Sequence, residues 1–251
     1  IQETAKYTPR HKKEVLINDF WGFTRIGYFP KNYLNRFDGF VFLSDSEELA
    51  FNTKYGSFIK NQTTSLICHN GVDTEDNSSG DFTNRGIDFI VVGRIEELKN
   101  SVEVLKFRNQ YFSDKSIVFI GANNPYHKEY SKKFEQLVLK SKALHIKSLP
   151  HDKVLSYLKQ ARVLLNFSLL ECSPLVDLEA LSQGCKVITT SHSYTHLKSS
   201  SDVLVLEPDH VSLFIPQIKE MVNTSNLNKS YQYKNWKTSL EPLLEVIRQA
   251  W

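Results

Sequence analysis

Between residues 87 and 206, short apolar runs alternate with helix-length amphipathic stretches, and that alternation leaves few folds open. Ile87-Asp88-Phe89-Ile90-Val91-Val92 ends at Gly93, and Ser116-Ile117-Val118-Phe119-Ile120 ends at Gly121. Apolar runs of this length, stopped by glycine, suit parallel strands buried on both faces. Leu144–Lys147, Arg162–Phe167, Cys185–Thr190 and Val203–Leu206 are predicted as further strands. Helices are predicted between them: one carrying Val102, Val104, Leu105 and Phe107, then about 126–142, 151–160 and 174–182, the last closed by Gly184. Strands alternating with helices imply an α/β fold built on a doubly wound parallel sheet.

Upstream the pattern is less regular. Phe37–Ser44 predicts a strand, 46–55 a helix with Ser46 as N-cap, and Thr64–Cys68 a second strand. The polar run Asp73–Arg85 reads as a linker. The last helix is predicted over about 234–250, with Trp236, Leu240, Leu243, Leu244 and Ile247 on one face. Phe20-Trp21-Gly22-Phe23 and Tyr28-Phe29-Pro30 form an aromatic stretch that suits either interdomain packing or a membrane-proximal, acceptor-docking face.

Composition narrows the function classes. The chain has 251 residues, 41% of them hydrophobic and 24% charged, with a formal net charge of +3. That supports a real core. Lysines and arginines are dispersed, which argues against a nucleic-acid surface. No apolar run approaches the roughly 20 residues of a membrane span. Cys68, Cys172 and Cys185 cannot pair completely and form no Cys-x-x-Cys, which points to a reducing compartment and no structural metal. The expected location is the cytoplasm, either free or peripheral on the inner face of the membrane. The start at Ile1 is not a signal peptide, and residues upstream of it are expected.

The chemistry concentrates in two segments. Glu171-Cys172-Ser173-Pro174-Leu175-Val176-Asp177-Leu178-Glu179 follows a predicted strand, so Glu171 belongs on the carboxyl edge of the sheet, where open parallel sheets bind ligands. Ser173 is placed to cap the next helix, with Pro174 in its first turn. A helix N-terminus offers N–H groups to an anion. Two carboxylates at two depths beside it suit a sugar diphosphate, one holding sugar hydroxyls and the other ribose hydroxyls. A capped core helix with two solvated glutamates explains the same residues. In the second segment, Gly93-Arg94-Ile95-Glu96-Glu97-Leu98-Lys99-Asn100, Gly93 permits a sharp turn, and Arg94 and Lys99 can both reach a diphosphate. A surface loop with solvated cations is the alternative.

Taken together, these segments resemble the retaining glycosyltransferases of the GT-B fold, family 4 type. Asn70-Gly71-Val72-Asp73 looks like that family's interdomain motif, Val92-Gly93-Arg94 with Lys99 like its diphosphate loop, and Glu171 to Glu179 like its Glu-x7-Glu motif. The Trp236 helix looks like the one that crosses back to the first domain. The resemblance implies a partial amino-terminal, acceptor-side domain over 1–73 and a linker over 74–86. It further implies a nucleotide-sugar-binding Rossmann-like domain over 87–233 and a crossing helix over 234–251. Arg94 and Lys99 would bind the donor diphosphate, with Gly93 in the same binding loop. Glu171 would contact the donor sugar and Glu179 the ribose. Main chain at Ser148-Leu149-Pro150, Leu149 in particular, would contact the base, and Ser173, Pro174 and Leu175 would cradle phosphate. Cys172-Ser173-Pro174 stands where the family has a Gly-Phe-Gly-like segment, which leaves the sugar open.

The resemblance implies transfer from a UDP- or GDP-linked sugar to a glycan or lipid-linked glycan, with retention. It implies no cofactor and no metal. Asp73-Thr74-Glu75-Asp76 lacks a second carboxylate cluster to make a metal site. The family's first domain is about twice as long as residues 1–73, so a partner chain or missing segment is expected to complete it. A non-catalytic nucleotide-sugar-binding or scaffold domain and a GT-B-fold epimerase remain as alternatives.

Overall fold

A computed structural model describes residues 15–17, 34, 37, 39–59, 64–72, 84–171, 173–193, 197, 200–224 and 234–250. The aromatic stretch at 20–30, the polar run 73–83 with its acidic cluster, and Cys172 lie outside the described residues.

The apolar runs form the predicted sheet. Its strands are β4 (Ile87–Val92), β5 (Ile117–Ile120), β6 (Ala143–Ile146), β7 (Ala161–Asn166), β8 (Lys186–Thr190) and β9 (Val203–Leu206), all parallel, in the order β6-β5-β4-β7-β8-β9. Successive side chains point to opposite faces of a strand, and both faces are covered here. Phe89 and Val91 of β4 pack with α2 (Ser101–Tyr111), α3 (Lys128–Lys140) and α6 (Ile215–Asn223) through Leu105, Phe134 and Ile218. Ile90 faces the other way, toward Val154 and Leu158 of α4 (His151–Gln160) and Leu178 and Leu181 of α5 (Leu175–Ser182). This two-sided burial is why the strands read as continuous apolar runs. Cys185, the first residue of the strand predicted over Cys185–Thr190, is buried just ahead of β8, and burial pushes its thiol up to about 12.

A second parallel sheet has the order β1-β2-β3, formed by Val15–Ile17, Gly39–Phe42 and Thr64–Ile67. One face packs Phe40 and Phe42 against Phe51 and Tyr55 of α1 (Asp45–Tyr55). The other packs Val41 and Cys68 against Leu243 of α7 (Trp236–Ala250). The last helix therefore docks on the first sheet, with Leu243 buried while Leu244 and Ile247 stay partly exposed.

Two expectations are corrected. The N-cap of α1 is Ser44, not Ser46: the Ser44 hydroxyl accepts from the Glu47 N–H at 3.2 Å. Glu47 stands three residues after Ser44, and its carboxylate reaches back to the Leu43 N–H at 2.6 Å, so each end of the pair satisfies a free backbone donor. Ser46 has leucine at that spacing. Arg85, read as linker, is instead a buried strut. Its guanidinium donates to the carbonyls of Leu158, Ala161 and Gln183, at the carboxyl ends of α4 and α5. A cation there satisfies carbonyls that the helices leave unpaired and favours both helix dipoles.

Where the chain leaves the first sheet it meets its own return. The Val72 N–H donates to the Lys234 carbonyl at 3.0 Å. A Cβ on Gly71 would lie 2.6 Å from the Trp236 nitrogen, so only glycine lets the two segments pass this closely. The Cys68 thiol and the Ser239 hydroxyl bond to the carbonyls of Ser239 and His69 respectively, fixing α7 beside β3. The Nδ1 of His69 lies 2.9 Å from the Leu43 carbonyl.

Candidate functional site

Numbered from β4, the six-stranded sheet has the order 3-2-1-4-5-6, so its winding direction reverses between β4 and β7. The connection after β4 goes to α2 on one face, and that after β7 to α5 on the other. A crevice opens where they part, the usual ligand position in such sheets. Here it is a cleft of about 630 Å³ lined by Gly93, Arg94 and Lys99 from the first connection and by Glu171, Ser173, Pro174, Leu175 and Glu179 from the second. Leu43 and Asn70, which follow β2 and β3, line its opposite side. Asn70 ties the two sides, its amide donating to the Ser173 carbonyl at 2.8 Å. The cleft is within the size range of small-molecule sites.

The β4 connection is shaped by close backbone contact. Gly93 and Gly121 both have φ of +153°, and a Cβ on Gly121 would fall 2.0 Å from the Gly93 carbonyl oxygen. The two strand-ending glycines thus allow one loop to lie on the next. A short 3-10 turn, Glu97–Lys99, and left-handed Asn100 (φ 56°) then lead into α2. Lys99 runs its stem past Gly93 and pairs its ammonium with the Glu171 carboxylate. The Leu169 N–H donates to the Leu98 carbonyl at 2.8 Å, locking the two loops together. Arg94 sits at the rim, its side chain 68% exposed and 3.2 Å from buried Glu96. Arg94 and Lys99 therefore share the cleft but differ in depth: the Lys99 side chain is 27% exposed and that of Glu171 15%.

At α5 the expected cap is corrected. Pro174, not Ser173, occupies the N-cap, and the helix begins at Leu175 with no side-chain cap. Pro174 is held extended (φ −66°, ψ 119°), and its carbonyl accepts from the Asp177 N–H at 3.2 Å. Proline carries no polar side-chain group, so the first turn of α5 meets the cleft without a competing oxygen. N–H groups at such a helix end suit an anion.

Beneath the Lys99–Glu171 pair lies a residue that the motif reading passed over. Asp177 is fully buried, accepts from the Asn166 amide at 2.9 Å, and leaves its second carboxylate oxygen without a hydrogen-bond partner. Its inward direction was readable, because it precedes buried Leu181 by four residues on the same helix face. Burial pushes the Asp177 carboxyl up to about 7, with the Asn166 bond opposing, Glu171 adding and Lys99 opposing. An ordinary aspartate titrates near 3.8, so between there and about 7 the folded chain holds a proton that the unfolded chain has released. This contribution to stability is complete below pH 3.8 and lost as pH rises through about 7. Asp177→Asn is expected to remove a pH slope of at most about 1.4 kcal/mol per unit over that window and to gain relative stability at the alkaline end. Urea unfolding of both chains across the window checks it, and parallel pH profiles would contradict the assignment.

Glu179 also has an unforeseen partner. Its carboxylate lies 2.8 Å from Nε2 of His151, the first residue of α4, directly after Ser148-Leu149-Pro150. The two residues are 28 positions apart, so no local pattern announces the contact. Among the described residues no group of three or more His, Cys, Asp or Glu side chains is arranged to hold a metal ion, and no helix is long and apolar enough to cross a membrane.

A family model described as glycosyl transferases group 1 matches residues 73–235, more than half of the chain. No curated protein sequence matches. Among solved structures, a sucrose-phosphate synthase from Thermosynechococcus elongatus is similar with a TM-score of 0.69 and 14% identity, over 99% of this chain and 70% of that one. A UDP-forming α,α-trehalose-phosphate synthase from Burkholderia xenovorans gives a TM-score of 0.61 and 12% identity, over 77% of this chain and 55% of that one. An E. coli structure described as trehalose-6-phosphate bound with UDP-2-fluoro glucose gives a TM-score of 0.61 and 10% identity, over 88% and 59%. This chain thus spans little more than half the length of the latter two, and at these identities the likeness is one of fold.

Proposed function

The chain belongs to the glycosyl transferases group 1 family, and on that premise we propose that it moves a sugar from a UDP- or GDP-linked donor to a hydroxyl of a glycan or lipid-linked glycan, with retention. Its fold is the GT-B type, two Rossmann-like parts facing one another across a cleft. One observation carries the proposal: a lysine, a glutamate and an uncapped helix end converge at the winding reversal of the sheet.

In this reading, residues 87–233 are the donor side, while residues 1–73 with the returning helix are the acceptor side. Lys99, with Arg94 at the rim, takes the diphosphate together with the N–H groups of the first turn of α5. Glu179 accepts from the ribose hydroxyls, main chain at Leu149 meets the base, and Glu171 accepts from the sugar. Charge builds on the leaving diphosphate as the glycosidic bond breaks. Fixed cations and N–H dipoles stabilise it without reorganising, which is the largest contribution such a site can make.

The test is a panel of nucleotide sugars scored first for thermal stabilisation, then for transfer. A donor at 100 times its Kd should add about 2.7 kcal/mol to stability. Transfer to a hydroxyl acceptor, with the anomeric configuration of the product read by NMR, then separates the possibilities. Binding without transfer in the presence of any acceptor would favour a binding or scaffold role. Interconversion of the free nucleotide sugar would favour an epimerase. No stabilisation by any member of the panel would remove the proposal.

A further inference from the structure

His151 has a place in the site that neither its residue type nor its sequence position announces. It opens α4 immediately after Pro150, which serves as N-cap with no side-chain bond of its own. The imidazole is 65% exposed, yet its Nε2 lies 2.8 Å from Oε1 of Glu179, whose side chain is only 17% exposed and lines the cleft. α4 and α5 pack on the same face of the sheet, so the contact joins two helices rather than neighbours along one.

An exposed imidazole–carboxylate pair in open solvent contributes little to stability. Position makes this one different. A glutamate side chain has several rotatable bonds, and one reaching into a cleft loses that freedom when it binds a ligand. A donor fixed to one carboxylate oxygen removes the cost in advance and leaves the other oxygen to accept from the ligand. For Nε2 to donate it must carry the proton, a tautomer compatible with a carboxylate partner at this distance.

We infer that His151 is a positioning residue for nucleoside recognition: it holds the Glu179 carboxylate in the orientation that receives the ribose hydroxyls of the donor. The inference rests on the nucleotide-sugar reading and adds to it a residue outside the Glu-x7-Glu motif. His151 touches no reacting atom. It acts through Glu179, so its effect depends on what Glu179 meets.

That dependence supplies the test. Binding of UDP and GDP, and of their 2′,3′-dideoxy analogues, is measured by calorimetry on the full chain and on His151→Ala and His151→Gln. The wild-type arm is read first: if neither ribonucleoside diphosphate binds, the nucleotide-sugar reading falls, and this inference with it. If one binds, His151→Ala is expected to raise its Kd about 3- to 10-fold, the scale of one net hydrogen bond. The dideoxy analogue, already lacking the hydroxyls, should bind wild type and variant alike. His151→Gln, which keeps an N–H donor, should recover most of the loss. With a turned-over donor the loss should fall on KM rather than kcat. Equal losses for the ribo and dideoxy ligands, or no loss for either, would overturn the assignment while leaving nucleotide binding intact.

Discussion

In Lys99→Ala, affinity for a nucleoside diphosphate is expected to fall by roughly 1.5–3 kcal/mol, about 10- to 150-fold. Two effects add. The diphosphate loses a charged donor that the loop holds in place through the 3-10 turn and left-handed Asn100. The cleft also becomes more anionic, because Glu171 loses its partner while Glu179 and Glu96 remain. Arg94→Ala should cost less. Its side chain is mostly solvated at the rim, and Glu96 offsets its charge there. Folding should be nearly unchanged in both, since partly solvated ion pairs contribute only about 0–1 kcal/mol. Calorimetry with UDP and GDP, paired with thermal unfolding, measures both quantities. An Arg94→Ala loss larger than that of Lys99→Ala would reverse the order of depth read from the cleft.

Glu171→Gln should behave in the opposite way toward free nucleotide. The Lys99 ammonium is neutralised by Glu171 in the unliganded cleft. Taking away that charge frees Lys99 for phosphate, so free diphosphate should bind as well as in wild type or better. Turnover of the nucleotide sugar should nevertheless drop about 100-fold, the scale on which one charge-assisted contact to the reacting sugar counts, close to 2.7 kcal/mol. Glu179→Gln is expected to show the complementary pattern, weakening free nucleotide and nucleotide sugar together. Steady-state kinetics beside binding isotherms for both variants decide between them. If the two variants lose free nucleotide equally, the division into sugar and ribose ligands is wrong.

The six-stranded sheet was legible because its signals are local. An apolar run such as Ile87–Val92, stopped by Gly93, carries its own ends, and the structure shifts most of these strands by a residue at either end. Gly93 was readable as a turn and its own positive φ suits glycine, but the reason Gly121 must be glycine lies in the Gly93 carbonyl, one strand away. What stayed hidden depended on side-chain partners distant in sequence. Lys99 and Glu171 are 72 positions apart, and Arg85 meets carbonyls 73 to 98 positions later. The misplaced cap at α1 is a different case: Ser44-Asp45-Ser46-Glu47 contains the decisive spacing, and the glutamate three residues after Ser44 outweighs the second serine. At α5 the same serine preference misled, because Pro174 could take the N-cap in its fixed extended geometry and leave Ser173 outside.

The bond between Val72 and Lys234, with Gly71 pressed against Trp236, brings the segment that leaves the first sheet against the segment that returns to it. α7 follows the six-stranded sheet in sequence yet seats Leu243 against Val41 and Cys68 of the first sheet. Removing residues 234–250 is therefore expected to strip a core contact from the first sheet while leaving the six-stranded sheet both of its own clusters.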